Sequence, residues 1–138
     1  MCLKLNVRIL ALGILIMSGF GCDSANSLYP VAGAVFFEDQ PAAGATVIFV
    51  PVDGDREDQA RPTGKVDPSG NFTLTHPRGA GAIPGEYIVL VSWFDENARN
   101  TDQPKNKLPE KYADQSHQLL RATVQNKTNQ LEPFRLTK

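Results

Sequence analysis

Proline and glycine are distributed along this chain in a way that leaves room only for short secondary-structure elements. All 10 prolines and 8 of the 11 glycines lie after residue 21 of the 138-residue sequence. Both residues interrupt helices, so this part of the chain is not a helical bundle, and short strands joined by turns are favoured. The length fits one domain, and a formal net charge of −1 argues against nucleic acid as a partner.

Alternating apolar residues predict the strands themselves. We expect strands at residues 31–37, 44–52, 63–66, 71–76, 87–93, 119–125 and 131–137. The last two are expected to form a hairpin whose turn is at 126–129. Short strands in this number, within about 110 residues, predict an all-β fold: a β-sandwich of seven strands, with six to eight as the range.

One turn and one long connection stand out between these strands. The Asp-Pro-Ser-Gly sequence at 67–70 predicts a turn in which Gly70 adopts a positive φ. Residues 94–118 show no sustained period, except that 108–112 could form one helical turn. A connection of this length is usually functional or mobile. Phe94 and Tyr112 flank it and are our candidate interaction residues.

The first 21 residues have the order of an export signal. Lys4 and Arg8 are followed by an apolar run over 9–17 and then by small residues. About a dozen apolar residues span only ~18 Å as a helix, which is short of the ~30 Å hydrocarbon core of a bilayer. We therefore predict a signal peptide over residues 1–21 rather than a membrane-spanning helix.

Cys22 directly follows this leader, and Gly21-Cys22 resembles the end of the leader of bacterial lipoproteins. In that family the cysteine receives a lipid carrying fatty acids such as palmitate and becomes the new N-terminus. Gly19 stands where the family usually has leucine. Cys2 would leave with the leader, so Cys22 would have no disulfide partner. The alternative is an incidental thiol after an ordinary secretory leader.

The lipoprotein resemblance implies the organisation and location of the chain. It implies a lipidation site at Cys22, a short tether over residues 22–29 and one domain over 30–138. The protein would then be exported and held at a membrane of the cell envelope, in the periplasm or on the outer face, through its lipid anchor.

Three stretches of the domain are similar to a known family. They are residues 31–49, the turn and strand at 67–74, and Pro-Gly-Glu-Tyr at 84–87. They resemble carboxypeptidase regulatory-like, or transthyretin-like, domains, and 108–114 is similar to small bacterial lipoproteins that contain one such domain. The resemblance implies a transthyretin/Ig-like sandwich that carries out no reaction and has a structural role or binds an envelope protein or a glycan.

Residues with catalytic or metal-binding chemistry are few. His76 and His117 are the only histidines and lie in no motif, and a zinc site needs three or four ligands, so we expect surface or partly packed side chains. The carboxylates at 53–58 lack the spacing of a calcium loop, which favours a solvated loop over a calcium site. We therefore predict no metal and no cofactor.

Catalysis is also not predicted, although one alternative stays open. The serines lie outside the Gly-x-Ser-x-Gly setting, so we assign no catalytic residue. The transthyretin-like fold includes the hydroxyisourate hydrolase, whose C-terminal Tyr-Arg-Gly-Ser differs from the Phe-Arg-Leu-Thr-Lys at 134–138. A small secreted hydrolase of this fold is the alternative function.

Overall fold

A computed structural model describes residues 27–52, 60–95 and 104–138. The predicted leader, Cys22 and the acidic stretch at 53–58 lie outside the described residues. The strands are β1 (Val31–Phe37), β2 (Gln40–Pro41), β3 (Thr46–Pro51), β4 (Thr63–Lys65), β5 (Asn71–Thr73), β6 (Thr75–His76), β7 (Gly79–Ala80), β8 (Gly85–Ser92), β9 (Leu120–Val124), β10 (Asn129–Gln130) and β11 (Phe134–Leu136). One 3₁₀ helix, Glu110–Tyr112, lies between β8 and β9.

These strands form two sheets that enclose one core, which confirms the predicted all-β sandwich. The larger sheet is antiparallel and has the order β7-β6-β4-β3-β8-β9. The smaller sheet is built around β1: β2 and β5 pair with it in antiparallel orientation, and β10 and β11 pair with it in parallel orientation. The strands outnumber the predicted seven because several are short, and because the segment predicted at 71–76 divides at Leu74 between the two sheets.

The core lies between the sheets and follows the alternation of the two central strands. Val47 and Phe49 of β3 and Val89 and Val91 of β8 are fully buried on the inner face. On the other face of β3, Val50 is buried and Ile48 is partly buried, as is typical of a strand that is covered on both sides. Burying each such side chain contributes roughly 1.5–3 kcal/mol.

Gly33 in β1 has no side chain, and this leaves space for the aromatic ring of Phe72 to lie over β1. A Cβ atom at Gly33 would lie 2.7 Å from Cζ of Phe72, because the ring occupies that space. The Phe72 ring stacks on Phe134 of β11 with centroids 6.3 Å apart, and it meets Phe49 of the other sheet edge-on at 6.4 Å. The ring of Phe72 therefore links β5, β11 and the opposite sheet.

The predicted final hairpin is wrong, because β9 and the last two strands belong to different sheets. β9 pairs with β8, whereas β10 and β11 pair with β1. Asn129 explains the change of sheet. Its Oδ1 accepts from the Gln125 N–H at 2.8 Å, and its Nδ2 donates to the carbonyls of Gln125 and Lys127. The Asn129 N–H then donates to the Pro30 carbonyl at 2.8 Å, which directs the chain onto β1.

The predicted turn and helical turn are both present. Gly70 has a φ of +91°, and Oδ1 of Asp67 accepts from the N–H groups of Ser69 and Asn71 at 2.9 Å. The 3₁₀ helix falls within the predicted 108–112 segment. Within the described ranges, the chain forms no helix that is long and apolar enough to cross a membrane.

Candidate interaction surface

The long connection after β8 returns to the strand that it leaves, and one asparagine fixes this return. Oδ1 of Asn106 accepts from the N–H of Trp93 at 2.9 Å and from the N–H of Leu108 at 3.1 Å. The Lys107 N–H donates to the Trp93 carbonyl at 2.8 Å. The residues around Trp93 therefore have a defined backbone even though the connection is long.

Trp93 closes this end of the sandwich. Its indole meets Phe37 of β1 edge-on, with centroids 6.3 Å apart, and its Nε1 donates to the Ala43 carbonyl at 2.9 Å. Nζ of Lys107 lies 4.9 Å from the centroid of the indole, within the range of a cation–π interaction. Trp93 continues the alternation of the buried Val89 and Val91, but its ring is only partly buried because it lies at the margin of the core.

The two candidate interaction residues have different environments. Phe94 is 45% exposed and its backbone forms a bridge with Asn106. Tyr112 is only 8% exposed and belongs to the core. Its hydroxyl donates to the Thr137 carbonyl at 3.1 Å and accepts from the Thr137 N–H at 3.0 Å. Phe94 therefore offers a ring to a partner, whereas Tyr112 attaches the connection to the C-terminal residues.

Sequence reasoning missed Lys107, although a signal was present. Three lysines, at 105, 107 and 111, follow the Trp-Phe pair within twenty residues. Lys111 places its Nζ 5.2 Å from the ring centroid of Tyr112, which parallels Lys107 over Trp93. We use the name aromatic end for the surface formed by Trp93, Phe94 and Lys107.

The aromatic end lies opposite the point where the N-terminal segment joins the domain. Tyr29 bridges Ala82 immediately before the Val31 end of β1, whereas Trp93 contacts Phe37 at the other end of that strand. A seven-residue strand is about 20 Å long. A partner could therefore contact the aromatic end without meeting the N-terminal segment.

The two histidines do not share a site. His76 is 4% exposed, which differs from the expected surface or partly packed side chain, and its Nδ1 accepts from the Arg78 N–H at 3.1 Å. His117 lies at the surface, with Nδ1 3.0 Å from Oδ2 of Asp114. Among the described residues, no three His, Cys, Asp or Glu side chains are grouped so as to hold a metal ion.

Asp114 orders the surface turn that contains His117. Its Oδ1 accepts from Oγ of Ser116 at 2.7 Å and from the Ser116 N–H at 2.8 Å. These hydrogen bonds, together with the smaller effect of His117, hold the pKa of the Asp114 carboxyl below its usual value. The Ser116 hydroxyl donates to the carboxylate and not to the imidazole, which is not the serine–histidine pairing of a nucleophilic site.

A shallow groove of about 460 Å³ lies next to β1 and β5. Ala32 and Gly33 line it, together with polar side chains that include Asn71, Thr73 and Gln130. A smaller hollow of about 250 Å³, with a more apolar lining, adjoins it at Ala32 and Thr73. The groove has hydrogen-bonding groups but, unlike the aromatic end, no exposed aromatic ring.

No protein-family model, no curated protein and no solved structure matches this chain. The resemblances to lipoproteins and to transthyretin-like domains therefore rest on the sequence motifs that carry them, and the candidate surface rests on its own geometry.

Proposed function

We propose that this protein is an exported, lipid-anchored and non-catalytic β-sandwich of carboxypeptidase regulatory-like type. It acts at the bacterial cell envelope as a structural module or by binding a protein or a glycan. One observation carries the proposal: a basic start, an apolar run and small residues precede Cys22, and the domain follows at once. Two or three acyl chains on Cys22 would hold the protein firmly, at about 0.8 kcal/mol per buried methylene.

The backbone bridge between Tyr29 and Ala82 supports a short tether. The Tyr29 N–H donates to the Ala82 carbonyl at 2.9 Å, and the Tyr29 carbonyl accepts from the Ala82 N–H at 3.0 Å. Tyr29 is seven residues after Cys22, and seven steps along the chain at ~3.5 Å each reach at most about 25 Å. The domain would therefore stay close to the membrane that holds the lipid.

The aromatic end supports a binding role. Phe94 exposes an apolar ring, and it directly follows Trp93, whose indole has the Lys107 ammonium 4.9 Å from its centroid. Aromatic side chains supply large contact areas for protein partners and for sugar rings. The Asn106 hydrogen bonds hold the neighbouring backbone in place, so a partner would meet a surface that is already ordered.

Substitution of Cys22 tests the anchor. Wild-type protein should partition into the detergent phase and carry fatty acid at its N-terminus, and Cys22→Ala should move to the aqueous phase. Cys2→Ala is the matched control, because Cys2 would leave with the leader. The anchor proposal fails if Cys22→Ala stays with the membrane, or if the N-terminus of the wild-type protein lacks fatty acid.

Substitution of Phe94 tests the binding surface. Phe94→Ala should remove envelope proteins or glycans that co-purify with the wild-type protein, with little loss of stability because the ring is 45% exposed. Val52→Ala is the control, since Val52 is 41% exposed and its N–H donates to the Glu86 carbonyl, at the opposite end of β8 from Trp93 and Phe94. Equal co-purification with both variants would exclude Phe94 as a binding residue.

A further inference from the structure

The chain passes directly between the two sheets twice: from β5 to β6, and from β9 to β10 through residues 125–128. β9 is the last strand of the larger sheet, and in the part of the chain that the structure describes it pairs only with β8. The unused edge of β9 can therefore accept another strand.

β9 carries one charged side chain, Arg121, but lacks the other features that usually protect such an edge. It has five residues in unbroken register with β8, without a bulge or a proline. By contrast, β7 at the far edge of this sheet has two residues, and β11 has three and follows Pro133. Short strands and prolines discourage edge-to-edge pairing, so β9 is the edge that is open to a partner strand.

We propose that β9 pairs with β9 of a second copy of this chain, in antiparallel orientation about a two-fold axis at Ala122. In a continuous two-fold sheet the inner faces of both copies lie on the same side, so one residue of the strand lies directly opposite the same residue of the partner, and the axis passes midway between the two. An axis at Ala122 pairs all five residues of β9: Leu120 lies opposite the partner's Val124, and Arg121 lies opposite the partner's Thr123.

Charge selects this register over its neighbour. An axis at Arg121 would place two arginines directly opposite each other, which is destabilising. With the axis at Ala122, the partner's Thr123 lies between Arg121 and the partner's Glu86, because Glu86 and Thr123 are register partners in each copy. Two strand spacings separate these charges, about 10 Å between backbones. The Arg121 guanidinium donates to Oε1 of Gln118 in its own copy, and on pairing it would turn to the partner's Glu86. Long Arg and Glu side chains can meet over the small threonine, and the symmetry makes this contact twice.

Pairing at β9 would use a surface that the fold leaves partly exposed and would not use the other candidate regions. Leu120 and Ala122 are only partly buried against the core. Tyr29 and Phe94 lie outside β9, so the strand pairing itself would use neither residue.

A charge exchange tests the pairing. The full-length protein in detergent should sediment as a dimer at concentrations on the order of 100 μM. Arg121→Glu should weaken the dimer at least about tenfold, which is about 1.4 kcal/mol, and the double variant Arg121→Glu with Glu86→Arg should recover it. Arg135→Glu on β11 is the matched control and should dimerise like the wild type.

The outcomes separate this proposal from the anchor. A monomeric wild-type protein, or an Arg121→Glu variant that dimerises as tightly as the wild type, overturns the pairing and leaves the lipid proposal untouched. Glu86 and Arg121 are also diagonal neighbours within one copy, so the unfolding midpoint of each variant is recorded alongside its sedimentation.

A second measurement tests the register even if a charge variant fails to fold. In protein lacking Cys2 and Cys22, Ala122→Cys should form a disulfide between copies under mild oxidation, because the axis places position 122 opposite itself. Leu120→Cys should not, because position 120 faces Val124. Equal cross-linking of both, or of neither, overturns the register.

Discussion

The contact between Gly33 and Phe72 gives the sharpest prediction for the fold. In Gly33→Ala the new Cβ would lie 2.7 Å from Cζ and 2.8 Å from Cε1 of Phe72. The ring cannot move aside freely, because it stacks on Phe134 and meets Phe49 edge-on. Overpacking of this kind costs about 1–3 kcal/mol, and the loss of a strand glycine returns about 0.5–1 kcal/mol. We expect a net loss of about 1–2 kcal/mol in the free energy of unfolding.

Urea and thermal unfolding, followed by circular dichroism, measure this loss. Each kcal/mol should lower Tm by roughly 4–8 °C in a domain of this size. The control is a double-mutant cycle with Phe72→Leu. Leucine lacks the ring atoms that would meet a Cβ atom at position 33, so in that background Gly33→Ala should lower the free energy of unfolding much less. An equal cost in both backgrounds, or an unchanged stability of Gly33→Ala alone, would refute the steric explanation.

Three further predictions concern single polar side chains. Tyr112→Phe should lose about 1 kcal/mol in urea unfolding, because the hydroxyl serves both backbone groups of Thr137; an unchanged midpoint would contradict this role. Asp67→Ala should also lose about 1 kcal/mol, since its carboxylate binds two N–H groups of its own turn; the matched measurement is Asp67→Asn, which keeps an acceptor and should lose less. The pKa of the Asp114 carboxyl is lowered, chiefly by Ser116, so its stabilising effect is present above the usual pKa of an aspartate and is lost as the pH falls through the lowered pKa. An NMR titration should show this low midpoint and its rise in Ser116→Ala, and a midpoint that does not respond would exclude the hydroxyl as the cause.

The candidate surface was only partly predictable from the sequence. The sequence indicated Phe94 and Tyr112 together as interaction residues. Both are aromatic, and both flank the long connection after β8, whose residues show no sustained hydrophobic period. The two residues differ in burial in the folded protein. The burial of Tyr112 depends on the position of Thr137, which is twenty-five residues further along the chain. The cation over Trp93 likewise depends on Asn106, which returns the connection to the strand.

The sequence by itself determined the local elements, because alternation and turn chemistry act over a few residues. The apolar residues at alternate positions in β3 and β8 and the positive φ of Gly70 all follow from neighbours in the chain. Only the tertiary structure decided which sheet each strand joins. The segment after β9 was expected to turn back as a hairpin, but Asn129 binds the carbonyls of its own turn and its N–H reaches Pro30. Strand pairing is a contact between distant parts of the chain, so its partner is selected by packing and hydrogen bonding across the whole domain rather than by local pattern.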